Sequence, residues 1–266
     1  MSDYVHGYSQ READRLADQA DTLARLLHSG TRYPAGAMVL EAGCGTGSQT
    51  VTLASMSAQA HFTCMDVSRD SLCQAVNRTD ALGLKNVKFI KGDIFDLPFA
   101  DESFDHVFVC FVLEHLREPV RALTALKRVL KKGGSITLIE GDHGSAYFYP
   151  RSEEAEKAIR CQVGLQAALG GNSLIGREVY PLLRQAGFRR ITVRPKMVYA
   201  EGRNQALSEG FTKKTFTAMI EGVRQQAIAK NMIDPQTWEK GIRDLYRTAE
   251  PDGVFCYTFF KGRAIK

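Results

Sequence analysis

The run Val39-Leu40-Glu41-Ala42-Gly43-Cys44-Gly45-Thr46-Gly47-Ser48 admits few folds: an apolar segment ends in glycines at alternate positions and passes into a helical stretch. Glycine accepts the torsions of a tight turn. Lacking Cβ, it also lets backbone N–H groups approach a ligand at the first turn of a helix. The spacing Gly-x-Gly-x-Gly differs from the Gly-x-Gly-x-x-Gly of dinucleotide oxidoreductases, which disfavours that chemistry. A lone glycine turn also serves packing in many α/β proteins, so its surroundings decide between the two.

Those surroundings alternate. Apolar runs at Met38-Ala42, His61-Asp66, Val87-Gly92, Phe104-Cys110 and Ser135-Glu140 predict strands, and the stretches near 47–57, 69–83 and 117–131 predict helices between them. Strands apolar on both faces and separated by helices imply a parallel sheet covered on two sides. Leu16, Ala20, Leu23 and Leu27 share one stripe of a helix over 10–28, and Ser9 with Glu12 has capping-box spacing. Beyond Glu140 the rhythm changes. The sequence predicts an aromatic loop at Tyr147-Phe148-Tyr149-Pro150, helices at 152–169, 174–186 and 204–248 (the last broken at Asp234-Pro235), and a strand at 190–200. Val254 to Lys261 is apolar on both alternations, which places it inside the sheet. No linker or internal repeat interrupts the chain, so one α/β domain with helical additions is expected.

Composition narrows the function classes. A chain of 266 residues with 44% hydrophobic and 24% charged residues is globular and needs no disulfide or metal staple. The longest apolar run, Val107 to Leu113, is far short of the roughly 20 residues of a membrane span. The net charge is +5, but its densest cluster (Lys127, Arg128, Lys131, Lys132) ends a predicted helix, where cations complement the dipole. That reading is favoured over a nucleic-acid patch, and no basic stripe interleaved with aromatics occurs. The 6 cysteines are scattered without Cys-x-x-Cys, and Met1-Ser2-Asp3-Tyr4 has no signal-peptide character, so a reduced, cytoplasmic protein is expected.

Two carboxylates stand where a nucleoside would be read. Asp66 closes the second strand, where it can accept from both ribose hydroxyls or cap the next helix; beside the glycine turn, ribose binding is favoured. Asp93, in Gly92-Asp93-Ile94 after strand three, can accept from an exocyclic adenine amine while the next N–H faces a ring nitrogen.

Taken together, Glu41-Ala42-Gly43-Cys44-Gly45-Thr46-Gly47, Asp66 and Gly92-Asp93 resemble the class I S-adenosylmethionine-dependent methyltransferases. Leu97-Pro98-Phe99-Ala100-Asp101-Glu102-Ser103-Phe104-Asp105, Val112-Leu113-Glu114-His115-Leu116 and Arg128-Val129-Leu130-Lys131-Lys132-Gly133-Gly134 resemble the branch that includes ubiquinone/menaquinone C-methyltransferases. The resemblance covers about residues 37–140 and speaks to fold and cofactor more than to substrate. It implies a doubly wound, seven-stranded, mostly parallel sheet with helices on both faces and an antiparallel last strand at Val254–Lys261, plus an N-terminal lid helix and helical insertions. Residues 1–266 would form a single methyltransferase domain, with a lid at 1–36, a cofactor-binding core at 37–142 and substrate-side additions at 143–172 and 203–250.

The cofactor implied is S-adenosyl-L-methionine. By the resemblance, Gly43, Cys44, Gly45 and Gly47 would contact its methionine part, with Glu41 near the ammonium. Asp66 would take the ribose and Val67 would lie against the adenine, with Gly92, Asp93 and Ile94 at the adenine edge. Cys110 would offer a carbonyl near the methionine amine, with Phe111 beside it and His115 close to the same pocket. Tyr4 or Tyr8, in the lid, would pack near the sulfonium or merely anchor the helix.

Methyl transfer needs alignment and exclusion of water, and a base only when the nucleophile arrives protonated. Asp142 and His143, directly after strand five, with His115 and Tyr147, are the candidates for a base; an Asp-His-Gly turn is the alternative for the first two. Tyr147-Phe148-Tyr149 would line an acceptor pocket or be buried against the helical insert, and Arg177 would clamp a carboxylate or be solvated. Glu114-His115 suits a pocket or structural role better than a metal pair, since adjacent residues rarely face one ion. No Asn-Pro-Pro-Tyr or Asp-Pro-Pro-Tyr follows strand four, so a small-molecule acceptor is expected rather than nucleic acid. The rivals are RNA or protein methylation, favoured by a basic face of Arg189, Arg190, Arg194 and Lys196, or a module that binds the cofactor without catalysis.

Overall fold

A computed structural model of the chain describes residues 10–266. The predicted alternation is present: α1 (Gln10–Leu27), β1 (Met38–Ala42), α2 (Ser48–Met56), β2 (His61–Asp66), α3 (Arg69–Ala81), β3 (Val87–Lys91), β4 (Phe104–Cys110), α4 (Pro119–Val129) and β5 (Leu130–Tyr149). After β5 come α5 (Glu153–Ala168), a 3-10 turn running into α6 (Val179–Gln185), and β6 (Arg189–Glu201). α7 (Gln205–Leu207) continues as a π-helical segment, Ser208–Thr217, into α8 (Ala218–Glu221). α9 (Arg224–Ala229), α10 (Pro235–Arg247) and β7 (Val254–Ile265) complete the chain.

Local chemistry sets the helix starts. The Ser68 hydroxyl accepts from Ser71 N–H (3.2 Å), Ser152 from Ala155 N–H (3.1 Å), and the Asp234 carboxylate from Thr237 N–H (2.9 Å). Each satisfies an amide that the helix itself cannot reach. Proline opens α4 and α10, where its missing N–H costs nothing.

The described residues form a seven-stranded sheet in the order β3-β2-β1-β4-β5-β7-β6. β1 to β5 pair in parallel, while β7 runs antiparallel between β5 and β6, in the place the resemblance implies. Because strand side chains alternate, each face has its own core. On one, Leu23 and Leu27 of α1 and Trp238 and Leu245 of α10 pack with Phe62, Phe108 and Phe255. On the other, Leu123 and Leu126 of α4 and Val179 and Leu183 of α6 cover Leu40, Val107 and Leu138. None of the described helices is long and apolar enough to cross a membrane.

Two expectations change. Strand five does not end at Glu140: Asp142 and His143 lie inside β5, and the aromatic stretch Tyr147-Phe148-Tyr149 is not a loop but its far end, paired with Cys256, Phe255 and Val254 of β7 after a bulge between Asp142 and Tyr147. Its alternation is that of a strand: Phe148 stacks on Phe255 with centroids 6.1 Å apart, while Tyr147 and Tyr149 face outward. The helical region 204–248 breaks at Gly222-Val223 as well as before Pro235. Ser9, Tyr4 and Tyr8 lie outside the described residues.

Candidate active site

The C-terminal ends of β1, β2 and β4 open into a pocket of about 280 Å³, the edge at which open α/β sheets bind ligands. Its floor is the glycine turn. Gly43 (φ 77°), Gly45 (φ 51°) and Gly47 (φ 77°) all occupy left-handed backbone, which costs an L side chain about 1–2 kcal/mol. A Cβ on Gly43 would run into the Val112 side chain, and one on Gly47 would lie 2.9 Å from Ala75, whereas one on Gly45 would meet nothing within 4 Å. Gly43 and Gly47 therefore bring the turn against its neighbours, while Gly45 leaves the backbone bare toward the pocket.

Asp66 locks this turn. Its Oδ2 accepts from Gly45 N–H (2.8 Å) and its Oδ1 from Ser68 N–H (2.9 Å), so strand two's terminal carboxylate holds both the glycine turn and the next loop. A carboxylate offers about four acceptor sites, so two remain for a ligand. Val67, beside it, is exposed and apolar. Gly92, Ile94 and Cys110 complete this half, with Phe111, whose φ of 57° is unusual for a residue with Cβ. A bare turn, a carboxylate with spare lone pairs and an exposed apolar side chain are what the parts of S-adenosyl-L-methionine require: an amino-acid end, a ribose and an adenine.

The other half is aromatic: Phe211, Phe216, Tyr257 and Phe259 line it with Met219, Glu114, His115 and His143, and Arg15 and Gln19 of α1 border it. His143 Nδ1 lies 2.9 Å from the Tyr257 hydroxyl, and its buried Nε2 has no partner among the described residues. Burial lowers its pKa from the usual histidine value and thus keeps the ring neutral. Behind the wall, Glu140 Oε1 accepts from Val112 N–H (3.1 Å) and Leu113 N–H (2.9 Å), fixing the turn after β4. Burial and the nearby Glu114 push the Glu140 carboxyl well up.

Of the residues singled out in the sequence, Gly43, Cys44, Gly45, Asp66, Val67, Gly92, Ile94, Cys110, Phe111, His115 and His143 line this one pocket. Glu41, Gly47, Asp93, Asp142 and Tyr147 do not. Glu41 is buried behind the turn, where Thr50 Oγ1 donates to its Oε2 (2.6 Å), and burial pushes its pKa up to about 7. Asp93 accepts from Phe95 N–H (2.9 Å) in its own turn. Asp142 is gripped at both oxygens by Arg177 (2.7 and 2.8 Å) and also accepts from Gly144 N–H, so the fork of Arg177 is occupied. Tyr147 stands on the outer face of β5, with its hydroxyl 4.0 Å from Met197 Sδ.

The aromatic half went unidentified in the sequence. Phe211 and Phe216 come from the π-helical segment and Tyr257 and Phe259 from β7. The one signal was the apolar character of β7 on both alternations.

A family model described as a methyltransferase domain matches residues 34–187. An uncharacterised methyltransferase of Schizosaccharomyces pombe is 33% identical over 147 residues, covering 53% of this chain and 52% of that protein. A demethylmenaquinone methyltransferase of Clavibacter sepedonicus is 36% identical over 141 residues, 53% of this chain and 56% of that one. The chain spans about half the length of the curated relatives it matches. Among solved structures, a phosphoethanolamine N-methyltransferase 2 of Haemonchus contortus in complex with S-adenosyl-L-methionine superposes with a TM-score of 0.57 at 18% identity, over 92% of this chain and 52% of that one. The chain belongs to the class I S-adenosylmethionine-dependent methyltransferase family.

Proposed function

We propose that the chain binds S-adenosyl-L-methionine in the glycine-turn half of the pocket and transfers its methyl group to a small-molecule acceptor held in the aromatic half. The main support is that one pocket joins the two halves, with His143 at the wall between Gly141 and Tyr257. When bound, the cofactor supplies a methyl carbon on a cationic sulfur, open to in-line displacement.

The chain's own residues do the rest. Asp66 accepts from the ribose hydroxyls with its two remaining sites, Val67 and Ile94 hold the adenine, and the Cys110 carbonyl meets the methionine amine. Gly47, Asp93 and Glu41 act at one remove, shaping the turns that present these groups. The ring faces of Phe211, Phe216 and Phe259 exclude water and attract a cationic or apolar acceptor. With Nδ1–H donating to the Tyr257 oxygen, His143 Nε2 carries the lone pair that takes the acceptor's proton as the new bond forms. The Tyr257 O–H is then free to orient the acceptor. α1 serves as the lid, and the helical additions form the acceptor side.

The names of the relatives agree with a small acceptor, since demethylmenaquinone and phosphoethanolamine are small molecules. The test is incubation with methyl-labelled S-adenosyl-L-methionine and a cell extract split into small-molecule, lipid, RNA and protein fractions. Label in the small-molecule or lipid fraction is expected. Label confined to RNA or protein overturns the acceptor class, and binding without any label reduces the chain to a cofactor-binding module.

A further inference from the structure

We propose that a cationic cleft on the β5–β7–β6 side of the sheet, which shares no lining residue with the glycine-turn pocket, is a binding site for a small oligophosphate. The cleft measures about 500 Å³ and is lined by Arg190, Arg194, Lys196, Lys261 and Arg263 with no carboxylate among its lining residues.

Strand register forces the crowding. In the antiparallel β6–β7 pair Arg194 lies opposite Lys261, and Thr192 lies opposite Arg263. Like charges directly across a ladder repel, and among the described residues no ion pair to a carboxylate offsets these. The contrast with the other basic cluster is clear. There carboxylates offset the charge, Asp101 pairing with Arg128 and Asp105 with Lys131, whereas the cleft's cations have only neutral partners among the described residues.

Two further features point to a ligand. Arg190 has φ 48° within a bulge between Arg189 and Thr192, and it lines the cleft. Bulges of this kind re-aim a side chain, and a strained non-glycine residue is commonest where function holds it. Lys261 is buried, donating to the carbonyls of Leu27 (2.8 Å) and Ser29 (3.0 Å) and to the Thr31 hydroxyl. Burial, Lys196 and Arg263 together push its pKa down to about 8, which an anion in the cleft would reverse. Ser29, Ser135 and Thr192 add hydroxyl donors. All five cations, from two adjacent strands, line a single cleft, which suits a compact ligand with adjoining phosphoryl groups.

The test is calorimetric titration of inorganic tripolyphosphate into the full chain, beside an Arg194→Ser/Arg263→Ser variant. Saturable binding is expected, weakened about tenfold or more for each charge-assisted hydrogen bond removed, with S-adenosyl-L-methionine affinity unchanged. Absent saturable binding, or equal binding by the variant, overturns the proposal. So does a single-stranded RNA oligonucleotide that binds where tripolyphosphate does not. Should the double variant fail to fold, Lys196→Gln serves: weaker tripolyphosphate binding supports the site, and unchanged affinity refutes it.

Discussion

His143 Nδ1 and the Tyr257 hydroxyl stand 2.9 Å apart in a buried pair that ties β5 to β7 at the wall of the pocket. A histidine held this way is a neutral base. Because burial lowers its pKa below the ordinary 6.5, the deprotonated form persists to lower pH. The acid limb of the kcat/KM profile, which reports the ligand-free enzyme, should therefore have its midpoint below 6.5. His143→Gln should lower kcat by about 10²–10⁴ with cofactor affinity intact, the usual worth of a general base. A profile flat through this range, or a full-rate Gln variant, removes His143 from the chemistry.

Glu41 makes a stability prediction. Its pKa is raised from 4.5 to about 7, mainly by burial. A group raised on folding contributes fully below its unfolded pKa and loses that contribution as pH rises through the folded one, here between 4.5 and about 7. Glu41→Gln avoids the buried charge while keeping an acceptor for Thr50. In the ligand-free protein it should exceed wild type in stability above neutral pH by about 3 kcal/mol at most, with the gap closing toward the acid end. Urea unfolding at two pH values measures this.

The glycine turn separates packing from binding. Gly43→Ala drives a methyl into the Val112 side chain on top of a left-handed backbone, so it should destabilise by more than the conformational cost alone. Gly45→Ala meets open space and should cost only about 1–2 kcal/mol of stability. Yet it should weaken S-adenosyl-L-methionine binding, because its methyl points where the ligand approaches. Melting temperature and calorimetry on the same two variants distinguish the effects.

Arg177 and Asp142 act as a structural pair. Removing Arg177 leaves a buried carboxylate without its bidentate partner. Because the guanidinium is half exposed, Arg177→Ala should cost about 2 kcal/mol, less than a fully buried pair. Cofactor affinity should stay near wild type. A variant of wild-type stability that loses methyl transfer would instead give Arg177 a role on the acceptor.

The core strands were legible because each is a short, mostly apolar run: β1, β2 and β4 begin and end where the residue pattern places them. The glycine turn and Asp66 were legible because their chemistry is local. The far end of β5 was not. Tyr147-Phe148-Tyr149 beside Pro150 reads as a loop until Cys256, Phe255 and Val254 supply the pairing partner, which lies far along the chain. The acceptor half was hidden for the same reason, since His143, Phe216 and Tyr257 meet only through the sheet order. Asp142 and Arg177, each weighed separately as a site residue, face each other and saturate one another.

The central claim, that the glycine-turn pocket holds S-adenosyl-L-methionine through Asp66, is tested most directly by calorimetric titration of the cofactor into wild type and Asp66→Ala. Saturable one-to-one binding by wild type is predicted, weakened in the variant by about 1.5–3 kcal/mol, the worth of a hydrogen bond to a charged group. No binding by wild type, or equal affinity in the two proteins, would contradict it.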